Sequence, residues 1–351
     1  MEITAGNPII SGFKGFDKDL KCRGYQYELD GVTKEDAARA CNRGFHMCTS
    51  PMEVISWYRP AMGSRYAKVD GGGKTDKDTN DSKIACAVLH VGKEIGVAGL
   101  VRAGVEYVSN NVLVGVRADW SGGSNAVVVG SSARSQVLEQ HACAVSVHSG
   151  EQGVANTEGH RATAVASGKS ALATSKGTLS IAATTREFNV SAAYGAGSIA
   201  ATTGEASAAI SEGRASVAAS TGSNAVAITS GDHSVAVCLA DNNLAIVEGG
   251  FSTAIVNGEA SVVTAEGVQS IAVAAGRHSA ATVNGEQSIA MAIAHNAKAQ
   301  GAIGCWLVLT EWKNTASAAT LNEVKVVQVD GTKIKAHTFY QLIGGKVVLA
   351  K

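Results

Sequence analysis

The chain has little of what a 351-residue globular protein normally uses to fill a core. Aromatics make up 5% of it, and the 3 prolines are Pro8, Pro51 and Pro60. Between Gly123 and Gly304 the only aromatics are Phe188, Tyr194 and Phe251. That stretch cannot build a core of large side chains; it must bury small ones, held by regular backbone pairing. Net charge is +0, which removes the electrostatic footprint of a nucleic-acid or anionic-membrane binder. From Ser198 to Gly304 eight acids face three Lys/Arg, too sparse for a DNA mimic. No run approaches the ~18 apolar residues of a spanning helix. The opening MEITAGNPII has no basic segment followed by an apolar one, so no secretory leader is expected. The 7 cysteines are odd in number and lack framework spacing, which predicts free thiols in a reducing compartment.

What the chain has instead is glycine, 40 residues of it, in a nine-residue rhythm. From Ser198 the blocks read SIAATTGEA, SAAISEGRA, SVAASTGSN, AVAITSGDH, SVAVCLADN. Serine opens them at 198, 207, 216, 234, 252, 261, 270, 279 and 288, and alanine holds the third place. Glycine returns at 204, 213, 222, 231, 249, 258, 267, 276 and 285, and the column runs backward, with breaks, to Gly123. Each block starts with an alternation such as Ser270-Ile271-Ala272-Val273, the period of a short strand. Glycine then marks a corner where positive φ is expected, with Asn224, Asp232 and Asn243 suiting the same turn.

One strand and one turn cannot enclose a core. Two blocks per coil, about 18 residues, predict a β-solenoid over 123–304, ten or so coils at a ~4.8 Å rise. Valine and isoleucine are expected to point inward, leaving serine and alanine on a flat outer face. The turns lack the G-G-x-G-x-D of calcium-binding nonapeptides; only Asp232 and Asp241 lie between Ser198 and Gly304. Regular threonine ranks, which an ice-binding face would need, are absent too. His233, His278 and His295 lie near turns and read as solvent-facing. The Ser-Val-Ala-Val blocks resemble, locally, the head repeats of trimeric bacterial adhesins, which implies self-association through small-residue faces.

The ends must cap an otherwise open stack of strands. Residues 305–351 read as a small β cap, with strands at Trp306–Leu309 and Val324–Val327, a hairpin turn at Asp330-Gly331, and strands at Ile334–Tyr340 and Val347–Leu349. Trp306, Trp312, Phe339 and Tyr340 are expected to supply its bulk. Residues 1–88 read as an α+β head, with 89–122 as the passage into the solenoid. The expected head elements are a strand over Leu20–Glu28, a helix over Thr33–Cys41, a strand over Phe45–Cys48, and a second helix. That helix opens with a Ser50-Pro51-Met52-Glu53 capping box and runs to Trp57-Tyr58.

Two sets of head residues carry chemistry. Cys22, Cys41, His46 and Cys48 are the only zinc-ligand set in the sequence, but they lack a C-x-x-C knuckle, so buried structural thiols are the primary expectation. Arg23, the segment Gly44–Ser50 and Trp57-Tyr58 resemble, faintly, the nicotinamide-gripping parts of an ADP-ribosyltransferase. Such an enzyme also needs a catalytic glutamate, for which Glu94 and Glu106 are the nearby choices. No P-loop, nucleophile elbow or Ser-His-Asp order is present, and no cofactor is expected.

The strings KGFDKDLKCRGYQYELDG, ACNRGFHMCTSPMEVISWY, SRYAKVD and DSKIACAVLHVGKEIGV resemble an N-terminal domain of uncharacterised phage and prophage proteins. In those proteins it precedes Ser/Ala/Gly repeats, and VDGTKIKAHTFYQL is similar to their endings. The resemblance implies viral origin. The resulting expectation is a non-enzymatic solenoid that binds a host or phage protein in the host cytoplasm, such as an inhibitor of a defence complex. Self-association into a homo-oligomer accompanies it. The alternatives are a virion or adhesin component and a nucleotide-using head.

Overall fold

A computed structural model describes residues 9–60, 63–77, 82–111, 125–129, 134–137, 143–147, 153–314 and 319–350. The chain forms two compact units, Met1–Asn111 and Val112–Lys351. Among the described residues no helix is long and apolar enough to cross a membrane.

The first unit is a small sheet that closes on itself. Its strands are β1 (Ile10–Phe16), β2 (Lys21–Cys22), β3 (Tyr25–Gln26), β4 (Val32–Lys34), β5 (Phe45–Cys48), β6 (Arg65–Lys77) and β7 (Lys83–Glu94). The sheet order is β4-β7-β5-β1-β6, and β6 pairs back onto β7. Closure needs β6 to bend. It does so at Gly71-Gly72-Gly73, where Gly73 has φ +72° and the register with β7 shifts. Phe16, Tyr27, Phe45, Met47, Leu89 and Val91 fill the interior.

Several head expectations change. The run Leu20–Glu28 is a hairpin, not one strand: Arg23 and Gly24 both have positive φ, +50° and +83°, the signature of a tight I′ turn joining Cys22 to Tyr25. Residues 33–41 form no helix. Their only hydrophobic side chains, Cys41 aside, are alanines, too little apolar surface to hold an isolated helix. Thr33 joins β4, and Arg39 bridges Arg43. The second helix, α1, is one turn, Val54–Trp57, and the capping box does not form. Glu53 Oε2 instead accepts from the Ser82 N–H at 2.8 Å, tying the turn to the start of β7. Strand β7 stays in the head sheet to Glu94 and is followed by α2 (Gly96–Asn111), which packs on β6. The segment expected to be a passage is therefore head structure as far as Asn111; residues 112–122, and Gly123 with them, lie outside the described ones.

The second unit is the β-solenoid, about 9 turns over residues 154–309. Pairing is parallel at an 18-residue offset, as in Val217↔Val235 and Val226↔Leu244, so each coil is two nine-residue blocks. Successive blocks alternate between two sheets. Sheet I holds Ile181–Thr185, Ile199–Thr202, Val217–Ser220, Val235–Cys238, Thr253–Val256, Ile271–Ala274 and Ile289–Ala292. Sheet II holds the blocks between, such as Ala208–Glu212 and Val262–Ala265.

The inward face is the reverse of the expected one. Serine and alanine are inside: Ser234, Ala236, Ser252, Ala254, Ser270 and Ala272 are buried. Val235, Ile271 and Val273 alternate outward on sheet I. The reason is cross-section. The two sheets lie so close that Thr184 Oγ1 of one and Ser191 Oγ of the other are 3.1 Å apart. Along most of its length that gap admits a methyl, a hydroxyl or a thiol from each side. Valine enters at 247, 256, 263 and 283, and leucine at Leu307 and Leu309.

Serine has a specific task at the corner. The Ser234 N–H donates to Ser252 Oγ at 3.0 Å, and Ser252 Oγ reaches back to the Gly231 carbonyl at 3.4 Å. The hydroxyl thus satisfies a donor and an acceptor of the coil below, where the chain leaves the ladder. The pattern repeats at Ser270 and Ser288, and Asn243 Oδ1 substitutes at 2.6 Å.

Glycine and positive φ are separated. A Cβ on Gly204 would lie 1.4 Å from the Arg186 carbonyl oxygen, so corners stack closely there, with Arg186, Ala240 and Ala294 as the departures from glycine in this column. The left-handed residue lies two places later and is seldom glycine: Ala206, Asn224, His233, Gln269 and His278 have φ of +50° to +57°. His233 and His278 therefore share one repeat position.

The C-terminal residues extend both sheets with antiparallel hairpins. Trp306–Asn314 pairs parallel onto Ile289–Ala292 and antiparallel with Ala319–Gln328. Tyr340–Ile343 pairs with Lys346–Leu349 through Gly344-Gly345, and Tyr340 lies opposite Ala299. Asp330-Gly331 is no hairpin turn: Asp330 Oδ1 accepts from the Thr332 and Ile334 N–H groups, and the chain crosses to the other sheet. Residues 334–339 are irregular. Trp306 is 42% exposed; Leu307, Leu309, Tyr340 and Leu342 supply the buried bulk.

Candidate functional site

Two places stand out, one in each unit. The first is a cavity of about 380 Å³ in the head. It is built where β1, β5 and the β2–β3 hairpin meet α1. Gly15 makes room for this: a Cβ there would lie 2.6 Å from Tyr58 Cβ, so Tyr58 lies flat on β1. Tyr66 fixes the end of α1 by donating its hydroxyl to the Tyr58 carbonyl at 2.5 Å.

The residues singled out in sequence for two separate chemistries line this one space: Cys22, Cys41, His46, Cys48, Arg23, Trp57 and Tyr58. The four ligand-type residues do not assemble as a metal site, and among the described residues no group of three or more could hold a metal ion. Ammonium groups stand among the thiols instead. Lys14 Nζ is 3.6 Å from Cys22 Sγ and donates to the His46 carbonyl at 2.6 Å. Lys83 Nζ is 3.4 Å from Cys41 Sγ and 4.1 Å from the centre of the Trp57 ring.

Lys14 was not foreseen. It is 4% exposed and lies over the Tyr27 ring at 5.0 Å. Burial pulls its pKa below the usual lysine value, offset in part by the neighbouring thiols Cys22, Cys86 and Cys48. Among the described residues no carboxylate is among the groups that shift it. Strand alternation carried a signal: Lys14 is two residues from Phe16, on the side of β1 that faces the interior.

The charge of the cavity has one sign. Among the described residues its lining includes Lys14, Arg23 and Lys83 and no Asp or Glu. His46 reports their convergence: burial lowers its pKa first, and Lys14, Arg23 and Lys83 each lower it further. Its Nε2 is buried and has no hydrogen-bond partner. Tyr58 is pushed up, by burial first and then by its hydrogen bond to Cys22. Of the two glutamates weighed for an ADP-ribosyltransferase, one is placed away from the cavity. Glu94 is held by Arg65 at 2.6 Å and does not line the cavity, and the Glu106 side chain lies outside the described residues.

Residues 10–103 match the family model of a domain of unknown function, DUF7666. The match spans every residue of the cavity. No curated protein and no solved structure matches the chain.

The second place is the outer face of sheet I. One rank runs Ile181, Ile199, Val217, Val235, Thr253, Ile271, Ile289, Trp306. Beside it run Ala183, Ala201, Ala219, Val237, Ile255, Val273, Met291, Val308. The residues that follow, from Thr185 and Thr203 to Leu239 and Ile293, are also uncharged. None of these side chains is buried. On sheet II the equivalent edge carries Lys176, Glu212, Glu248 and Glu266. The apolar face continues onto the last strand, where Val324 and Val326, opposite Thr310 and Val308, are 48% and 58% exposed.

Proposed function

We propose that this chain is a non-enzymatic protein-binding solenoid that binds through the outer face of sheet I, with a second copy of the chain as the occupant. The observation that carries this reading is the unbroken absence of charge on a face of exposed β-branched side chains. Contiguous apolar patches beyond a few hundred Å² are rare on monomers and mark contact surfaces. Nine strands at ~4.8 Å and a strand width of ~13 Å give roughly 550 Å² a side. Two copies face to face would bury about 1,100 Å², just above what a specific interface needs.

A face without charge gives no electrostatic selection of a foreign partner. It offers ranks repeating at the strand spacing, and the surface with the same repeat is the same face of another copy, in a two-fold contact. The reading extends to a phage-encoded protein acting in the host cytoplasm on a host complex such as a defence assembly. Its support is the resemblance of both ends to phage and prophage proteins.

Light scattering on the eluting protein tests the surface. The native chain should run as a dimer at micromolar concentration, and Ile199→Asp with Ile271→Asp should run as a monomer with unchanged circular dichroism. A native monomer at tens of micromolar ends the self-association reading, and a trimer moves it to the adhesin type. Affinity purification from infected bacteria tests the target: a stoichiometric host complex supports inhibition, whereas capsid or tail proteins replace it with a virion role.

A further inference from the structure

We propose that the head cavity is a binding site for a small anion carried on an aromatic or apolar body, with its negative group seated among Lys14, Arg23 and Lys83.

The first ground is uncompensated charge. Desolvating an ammonium is costly unless an opposite charge or a full set of hydrogen bonds repays it. Lys14 has one carbonyl, of His46, and one thiol, of Cys22, for three N–H donors. Asp17 is an acid that acts on Tyr58. Its Oδ1 already accepts from the Asp19 and Lys21 N–H groups. Among the described residues no Asp or Glu lines the cavity to balance Lys14, and an anion supplies that counter-charge.

The second ground is shape and lining. Beyond the cations the walls are Phe13, Met47, Val54, Trp57 and Tyr58, faces suited to a ring or an alkyl body. Trp57 is 55% exposed, with Lys83 against its ring, so it forms an aromatic and cationic lip. A volume of about 380 Å³ lies at the small end of the range for ligand sites, ~300–1,000 Å³. It suits one mononucleotide or aryl acid and is too small for a dinucleotide. The third ground is the unpartnered Nε2 of His46, a polar atom on the wall left for a ligand to engage.

The site is independent of the solenoid face, so either can fail without the other. Calorimetric titration of the full chain with adenosine monophosphate, phenyl phosphate and benzoate is the test, with adenosine and inorganic phosphate as half-ligands. At least one aromatic anion should bind with Kd below about 1 mM, and its uncharged or body-less counterpart at least tenfold more weakly. Lys14→Met should lower that affinity tenfold or more. Arg23→Gln, on an exposed turn that contributes nothing to the core, should lower it in the same direction with the head's melting unchanged. The proposal is overturned if none of the three aromatic anions binds below about 1 mM, or if adenosine binds as tightly as its monophosphate.

Discussion

The head and the solenoid bury polar groups in opposite ways. In the solenoid, Ser234, Ser252 and Ser270 are buried, and each hydroxyl has backbone partners in the preceding coil. The serine hydroxyls there are structural, repeated and satisfied, although single atoms such as Asn189 Nδ2, Thr229 Oγ1 and Asn243 Nδ2 are buried without a partner. In the head, Lys14 is buried with too few partners and His46 Nε2 with none. A buried polar group that completes a ladder is explained by the fold, whereas one the fold leaves unsatisfied calls for something from outside it. The solenoid is therefore best read by its outer surface and the head by its interior.

Glycine gives the largest test of that contrast. Gly231→Ala places a Cβ 2.0 Å from the Gly213 carbonyl oxygen, in a stack of corners fixed above and below. It should cost more than about 3 kcal/mol. Gly71→Ala in the head meets Met47 Cε and Cys86 Sγ at 3.0 and 3.1 Å, ends of side chains that can move. It should cost no more than about 1–2 kcal/mol. Hydrogen exchange read by mass spectrometry separates the two units, and equal losses of protection would break the comparison.

Serine gives the next. Ser252→Ala leaves the Ser234 N–H and the Gly231 carbonyl without their bridge in a buried corner. The expected cost is about 1–3 kcal/mol, concentrated in the coils on either side, because solenoid units couple to their neighbours. Ser252→Asn should recover part of it, since Asn243 Oδ1 already accepts the corner N–H of Ala225. A neutral Ser252→Ala would mean that water enters the corner and that the hydroxyl column is not what closes it.

The contrast also explains how much the sequence revealed. Period and coil size were legible because one spacing recurs many times. The inward face was misread because large apolar side chains are ordinarily the buried ones. That rule assumes a core with room for them, and the Thr184–Ser191 contact across the sheets shows that there is none. Glycine was assigned the left-handed turn because that is its commonest use, whereas here stacking demands it and Ala206 or Gln269 bears the positive φ. In the head, Cys22, Cys41, His46, Cys48, Arg23, Trp57 and Tyr58 were visible as candidates. Their convergence on one cavity was not, because it depends on the Arg23-Gly24 turn and on Gly15 admitting Tyr58. Lys14 was passed over because no strand was read over Ile10–Phe16, so its alternation with Phe16 was not seen.

The smallest expected effect is a pH slope belonging to Lys14 alone. Its folded pKa is lowered from 10.5 by burial, so at pH between that lowered value and 10.5 the unfolded chain binds the proton and the folded chain releases it. Stability then rises with pH, by at most about 1.4 kcal/mol per unit for one group. The useful window opens at that lowered value and closes at about 9, because Cys86, pushed up to about 11, opposes it once unfolded thiols ionise. Chemical denaturation of the head across that window should give a positive slope that Lys14→Met abolishes, together with a gain of about 1 kcal/mol or more at pH 7. A bound anion should flatten the slope in the native chain, because it restores the partner that the folded lysine lacks. A native slope of zero would mean that Lys14 keeps its proton and is solvated within the cavity, its ammonium then as well served as the serine hydroxyls of the solenoid corners.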